Sequence, residues 1–215
     1  MPAIVTLACC LITNDTQDTA LTSKPLITRW TSWLMPSFGL MSDRSLSPAW
    51  LASWTDRVSV ALTAMTVEFE HRHGFPPGAN EVRPADHDDQ AAARTLAQVV
   101  PTTADLVTFY DSIGEVTWAD VGNGYFLDPA RNVVQRLQEY GVVDAGAERA
   151  HGLVIGSNGG GLAYVAGPDG AVYRTRTASL DEPEVDKAAD HLRQFLEPLE
   201  HSLTRFIVDG DPGCL

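Results

Sequence analysis

Nowhere does the chain hold an apolar run approaching the roughly 20 residues that a bilayer-spanning helix needs, so neither a transmembrane helix nor a membrane partner is expected. Cysteine is scarce and odd in number. Cys9 and Cys10 are adjacent, which suits an ordinary disulfide poorly, and Cys214 stands far from both. That pattern speaks against a disulfide-stapled secreted scaffold and favours the cytoplasm. Basic and histidine neighbours that would mark a reactive thiolate are missing from all three cysteines. Positive charge is short too, with 15 Lys and Arg against 28 Asp and Glu. Only Asp15, Asp18, Lys24 and Arg29 precede residue 40, which leaves 26 acids facing 13 bases beyond it. Such a surface repels phosphate backbones, so no nucleic-acid partner is expected; it is suited to solubility and to steering a basic protein partner.

What is present is an ordinary globular balance, 44% hydrophobic and 20% charged over 215 residues. That length holds one well-cored domain with appendages, or two small ones. Ala3 to Ile12 is apolar, but no Lys or Arg precedes it and no small-x-small cleavage pattern follows promptly, so a signal peptide is not expected. A lipoprotein reading of Leu7-Ala8-Cys9-Cys10 fails because Cys9 stands where a small residue should precede the modified cysteine. Residues 14–47 show no sustained period. The expected organisation is a poorly ordered extension over 1–40, with Met41 a candidate true start, one domain over 41–206 that includes a leading helix, and a tail over 207–215.

Ser47-Pro48 is a strong helix start, and Gly74 a stop. Between them Trp50, Trp54, Val58, Ala61, Leu62, Met65 and Phe69 recur at helical spacing, which predicts one long helix to about His73. The polar stretch Asn80 to Asp89 reads as a loop, followed by a short alanine-rich helix from Asp89 to Gln98. Pro101 to Asp105 opens another helix with Thr102 as cap, an apolar stripe of Leu106, Phe109, Tyr110 and Ile113, and Gly114 as its stop. Strands are expected over 115–118 and 125–127 around the turn Asp120 to Gly124. Asp128-Pro129 starts a helix to Tyr140, closed by Gly141. From His151 the period turns strand-like, with strands over 151–155, 162–166 and 171–176 and a tight turn at Pro168-Asp169-Gly170. A last amphipathic helix is expected from Asp181-Glu182-Pro183, with Val185, Ala188, Ala189, Leu192, Phe195, Leu196 and Leu199 inward. The sum is an α+β fold, a mainly antiparallel central sheet with flanking helices.

Chemistry-bearing motifs are few. The string Gly156-Ser157-Asn158-Gly159-Gly160-Gly161 lacks the Lys and hydroxyl of a phosphate loop and leads into a strand rather than a helix, so it reads as a glycine-rich turn needing positive backbone angles. A nucleophile elbow fails because Ile155, not Gly, stands two before Ser157. His71 and His73, with Asp86, His87, Asp88 and Asp89 downstream, are the best metal candidates, yet two histidines at i and i+2 on a helix do not share a face. No catalytic residue, metal or cofactor is therefore assigned, and a metal-dependent enzyme is the least expected function.

Four features of residues 99–199 occur in one order. Val100-Pro101 leads to Leu106, Phe109-Tyr110 and Gly114; Gly124-Tyr125-Phe126-Leu127-Asp128-Pro129 leads to a helix ending at Tyr140; Val154 to Gly161 is followed by Tyr164 and Gly170-Ala171-Val172-Tyr173; and a helix closes near Phe195-Leu196. This order resembles the SUKH superfamily, in its Smi/Knr cell-wall-assembly-regulator branch. Pro101, Phe109, Tyr110, Gly124, Tyr125, Gly156, Gly159, Gly160, Gly161, Gly170 and Tyr173 carry the likeness. Val100 stands where the family has Leu, the acidic stretch at 80–89 is long for it, and residues 1–40 have no counterpart. The resemblance implies an α+β binding domain without universal catalytic residues. Bacterial members often act as immunity proteins that neutralise a cognate toxin by direct association, and many such toxins are basic nucleases. A regulatory or scaffolding adaptor of the same fold is the alternative. Glu115, Asp120, Asp86 and Asp88 are the partner-facing candidates, chosen from charge and loop position.

Overall fold

The structure is a computed structural model that describes residues 45–99, 101–145, 150–181 and 183–213, all within one compact unit, Leu40–Leu215. Cys9, Cys10 and Cys214, the extension over 1–40 and Val100 lie outside the described residues. The first element is helix α1, Pro48–His73. The Ser47 side chain caps it by accepting from the Trp50 N–H at 3.2 Å, and Gly74 ends it in the left-handed region at φ 79°. Ser47→Ala is expected to lower the unfolding free energy by about 1 kcal/mol, and Ser47→Thr to restore most of it, as read from urea unfolding midpoints. Leu51, Trp54, Val58, Leu62, Met65 and Phe69 form the buried stripe, while Trp50 and Ala61 are only half-buried at its margin. Trp50 instead lies under the guanidinium of Arg193, 5.0 Å from its ring centroid.

Residues 80–84 form a strand, β1 (Asn80–Pro84), not the expected loop. Only Val82 of its five residues is buried, so the segment carries almost no apolar signal of its own. Helix α2 (His87–Leu96) follows, capped by Asp86, and then α3 (Ala104–Ser112). Thr103 rather than Thr102 caps α3, because Thr102 closes a turn onto the Val99 carbonyl and the Thr103 hydroxyl accepts from Leu106 N–H. Gly114 does not stop α3. The chain passes from Ser112 straight into strand β2 (Ile113–Trp118), and Gly114 gives room for the Arg83 guanidinium, whose atoms would lie 2.5 Å from any Cβ there.

The remaining elements are β3 (Tyr125–Leu127), α4 (Ala130–Tyr140), β4 (Val143–Ala145), β5 (Ala150–Asn158), β6 (Ala163–Ala166), β7 (Val172–Thr175), β8 (Val185–Ala189) and α5 (Leu192–Asp209). β4 has no counterpart in the sequence reading. The expected helix start at 181–183 is overturned: Val185–Ala189 pairs with β7 as an edge strand, and α5 begins only after His191, whose ring nitrogen accepts from Gln194 N–H. Pairing with β7 and the bridges from Arg176 to Glu184 and Asp186 outweigh the helical spacing of Val185, Ala188 and Ala189. α5 also continues past residue 206 to Asp209.

The strand order is β1-β2-β3-β5-β6-β7-β8, with β4 paired to β5, and every pairing is antiparallel. The fold is α+β, as the sequence pattern predicts. The main core is one continuous cluster that joins the α1 stripe from Leu51 to Met65, Phe109 and Tyr110 of α3, Trp118 of β2, Tyr164 of β6, and Phe195, Leu196 and Leu199 of α5. A smaller cluster, including Val154, Val165 and Tyr173, packs apart from it. α1 and α5 are tied together by a two-pronged Arg57–Glu200 pair at 2.7 and 2.9 Å and by Trp54 Nε1 donating to the Leu196 carbonyl at 3.3 Å. No helix among the described residues is long and apolar enough to cross a membrane.

Candidate functional site

The glycine-rich string proves to be structural. Asn158 ends β5, and its side-chain oxygen accepts from the N–H groups of Gly160 and Leu162 at 3.0 and 2.9 Å. Its own N–H donates to the Leu162 carbonyl, Gly161 N–H donates to the Asn158 carbonyl, and Gly159 N–H reaches the Gly124 carbonyl. The loop amides that would have to cradle a phosphate are thus spent within the protein. Of the four glycines only Gly161 has a positive φ, 83°; Gly156 and Gly159 are required by close backbone approach instead. Ser157 is a strand residue between Phe126 and Ala163. The other residues carrying the family likeness are likewise structural. Pro101, Phe109, Tyr110 and Tyr125 are buried, Gly124 and Gly170 have φ of 88° and 85°, and Tyr173 donates its hydroxyl to Asp169.

The histidine and aspartate group does not assemble a metal site. Among the described residues no set of three or more His, Cys, Asp or Glu side chains could hold a metal ion. His73 stacks on Phe206 and packs against Phe69 and Phe75, beside a cavity of about 100 Å³ also lined by Met65 and Arg72. Asp89 is fully buried and accepts from Arg83, from Arg131 at 3.3 Å and from the Asp86 N–H. The Arg83 hydrogen bond, against the opposing effect of burial, holds its carboxyl below the usual carboxylate range. Asp86 in turn accepts from the Asp88 and Asp89 N–H groups, so the two carboxylates form a reciprocal capping box.

The four acids picked from the sequence all fall along one margin of the sheet, the β1–β2 edge. Asp120 follows β2 and accepts from Gly78 N–H at 2.7 Å and Asn80 Nδ2 at 2.6 Å, fixing the entrance to β1. Glu115 stands directly across from Arg83, 3.8 Å from its Nε. Asp86 and Asp88 lie just beyond the far end of β1, with Asp88 almost fully exposed. Three of the four therefore have partners elsewhere in the fold, whereas Asp88 has only its exposed neighbour His87, 3.6 Å away, among the described residues. Sequence reasoning missed Glu81, which is exposed on the same face as Glu115, because a residue in a loop has no assigned face.

Among the described residues β1 is the terminal strand of the sheet. The Ala119 N–H donates to the Ala79 carbonyl, and antiparallel alternation then makes Glu81 and Arg83 the hydrogen-bonded partners of β2. Asn80 and Val82 consequently aim their N–H and C=O groups outward. Beside them runs a groove of about 360 Å³ lined by Ser59, Leu62, Thr63, Thr66 and Val67 of α1 and by Asn80, Glu81 and Val82 of β1. The Thr63 and Thr66 hydroxyls donate back to the Ser59 and Leu62 carbonyls, so this wall makes little polar demand on an occupant. Val67 stands 75% exposed beside it. No protein-family model matches the chain, and no curated protein does either.

Proposed function

We propose that the chain is a cytoplasmic, non-catalytic protein-binding domain of SUKH type, an immunity protein that neutralises a cognate basic bacterial toxin by direct association. The observation that carries the reading is the β1–β2 edge. Glu81, Glu115, Asp86, Asp88 and Asp120 gather there around a strand that is terminal among the described residues, in a chain of net charge −13. Arg83 pairs with Asp89, Asp86 and Glu115, and Arg131 with Asp89, so the two guanidinium groups offset only part of the acidic charge and the margin stays net negative. A net acidic margin beside an edge that no strand among the described residues pairs suits a partner of the other sign. The glycine-rich string, whose amides are internally satisfied, does not offer a phosphate cradle.

Affinity capture of the tagged chain from its native lysate, with mass spectrometry of the eluate, tests the reading. A stoichiometric effector with a basic domain is the expected result, and co-expression of the chain should rescue cells producing that domain. A housekeeping partner would instead favour a regulatory adaptor of the same fold. With the captured effector, the association rate constant should fall by about tenfold or more between low and physiological salt, as stopped-flow mixing would measure. An unchanged rate would remove steering from the account.

A further inference from the structure

We infer that β1 is an acceptor for an added strand: an extended segment of the partner, alternating basic and apolar residues, pairs edge-on with Asn80–Val82. The inference rests on the protein-binding reading above and specifies its mode and the chemistry of the segment. Open edges are ordinarily blunted, since they recruit other chains. Here Pro84 and a register irregularity at Arg83/Pro84 close one end of β1, but Asn80 and Val82 still present outward N–H and C=O groups. Among the described residues no other strand pairs with that side.

The register dictates what such a segment must look like. Val82 pairs with Val116 and faces the helices, whereas Glu81 and the Arg83–Glu115 pair face the opposite side. An added strand continues the same pleat, with alternate side chains on opposite faces. Residues on the helix side would enter the groove against Leu62, Val67 and Val82 and should be apolar. Those on the other side would meet Glu81 and, next to it, Arg83 with its three carboxylate partners Asp86, Asp89 and Glu115, a net negative margin, and should be basic. Strand addition of this kind takes affinity from backbone bonds and specificity from alternate pockets. A second copy of this chain fits less well, because it carries the same net charge of −13 and is repelled as a whole.

The test uses the full chain labelled with ¹⁵N and a capped synthetic peptide of alternating valine and lysine. Binding at low salt should slow hydrogen exchange at the Asn80 and Val82 amides by about tenfold or more, while Glu81 and Arg83, already bonded to β2, change little. N-methylating one alternate set of peptide residues should abolish binding, and methylating the other set should leave it within about threefold, the period-two signature of a strand. Val67→Asp, at an exposed position where folding is not at stake, should weaken binding by about tenfold. Absence of peptide binding, equal tolerance of both methylation patterns, protection elsewhere, or a dimer of the free chain that protects β1 would each overturn the inference. The two readings fail separately. A captured toxin that leaves Asn80 and Val82 exchanging freely overturns strand addition and spares the immunity reading. Peptide pairing on β1 alongside a housekeeping partner does the reverse.

Discussion

Asp89→Ala is expected to lower the unfolding free energy by about 3 kcal/mol or more, the scale seen when one member of a buried ion pair is removed. The side chain has no exposure, and its oxygens accept from three separate elements: Arg83 of β1, Arg131 of α4 and the backbone at the head of α2. Truncation would leave the Arg83 side chain, 27% exposed, with the Pro84 carbonyl and the outlying Asp86 and Glu115 near its guanidinium, and would open half of the capping box. Urea unfolding read by tryptophan fluorescence measures the loss, with Asp88→Ala as the exposed control expected within about 0.5 kcal/mol of the parent. A double variant, Arg83→Met with Asp89→Leu, should recover much of the loss, because two apolar groups leave no charge buried. A single-variant loss below about 1 kcal/mol would mean that water reaches the pair.

The same carboxylate sets a pH dependence whose sign is fixed. Its folded pKa is lowered, chiefly by the Arg83 hydrogen bond. The stability it contributes is therefore fully present above the unfolded value, about 4, and is lost as pH falls through the lower folded value. Asp89→Asn should flatten the acid limb of the stability curve below about pH 4 relative to the parent. Because β1 hangs on α2 and α4 through this residue, the Glu81 and Arg83 amides should also exchange faster in either variant. The candidate binding edge and its anchor are thus one construction.

Where the sequence was readable, the reason was that short-range chemistry decided the outcome. Ser47-Pro48 and Gly74 bound α1 because a cap, a proline at the first turn and a left-handed glycine each act within a few residues. The hairpin at 168–170 and the helix after Pro129 are legible for the same cause. β1 and β8 were not. β1 buries one residue of five, and β8 places Val185 and Ala189 at a spacing a helix would share, so only the neighbouring strands decide between states. The site suffered accordingly. Charge and loop position brought four acids to the right margin of the sheet, but not the internal partners of Asp86, Glu115 and Asp120, nor Glu81, whose orientation exists only once β1 is a strand.

Gly159→Ala carries the second large expectation, a loss of about 3 kcal/mol or more, at or beyond the upper end for overpacking. A Cβ there would fall on the Asn123 carbonyl oxygen and stand 2.8 Å from the Asn123 carbonyl carbon. Backbone cannot swing aside as a flexible side chain would, so the turn at 120–124 and the end of β5 must part. Gly156→Ala should be comparably harmful, since its Cβ would strike the Phe126 carbonyl and approach Leu127 Cα to 3.0 Å inside the β3–β5 pairing. Gly160 is the internal control. Its nearest atom is the Asn158 side-chain oxygen at 3.3 Å, and Gly160→Ala should cost less than about 1 kcal/mol. Thermal and urea unfolding of the three variants separate two accounts of the string. The close-packed hairpin requires positions 156 and 159 to be far more sensitive than 160, whereas a string kept open for a ligand would show no such order.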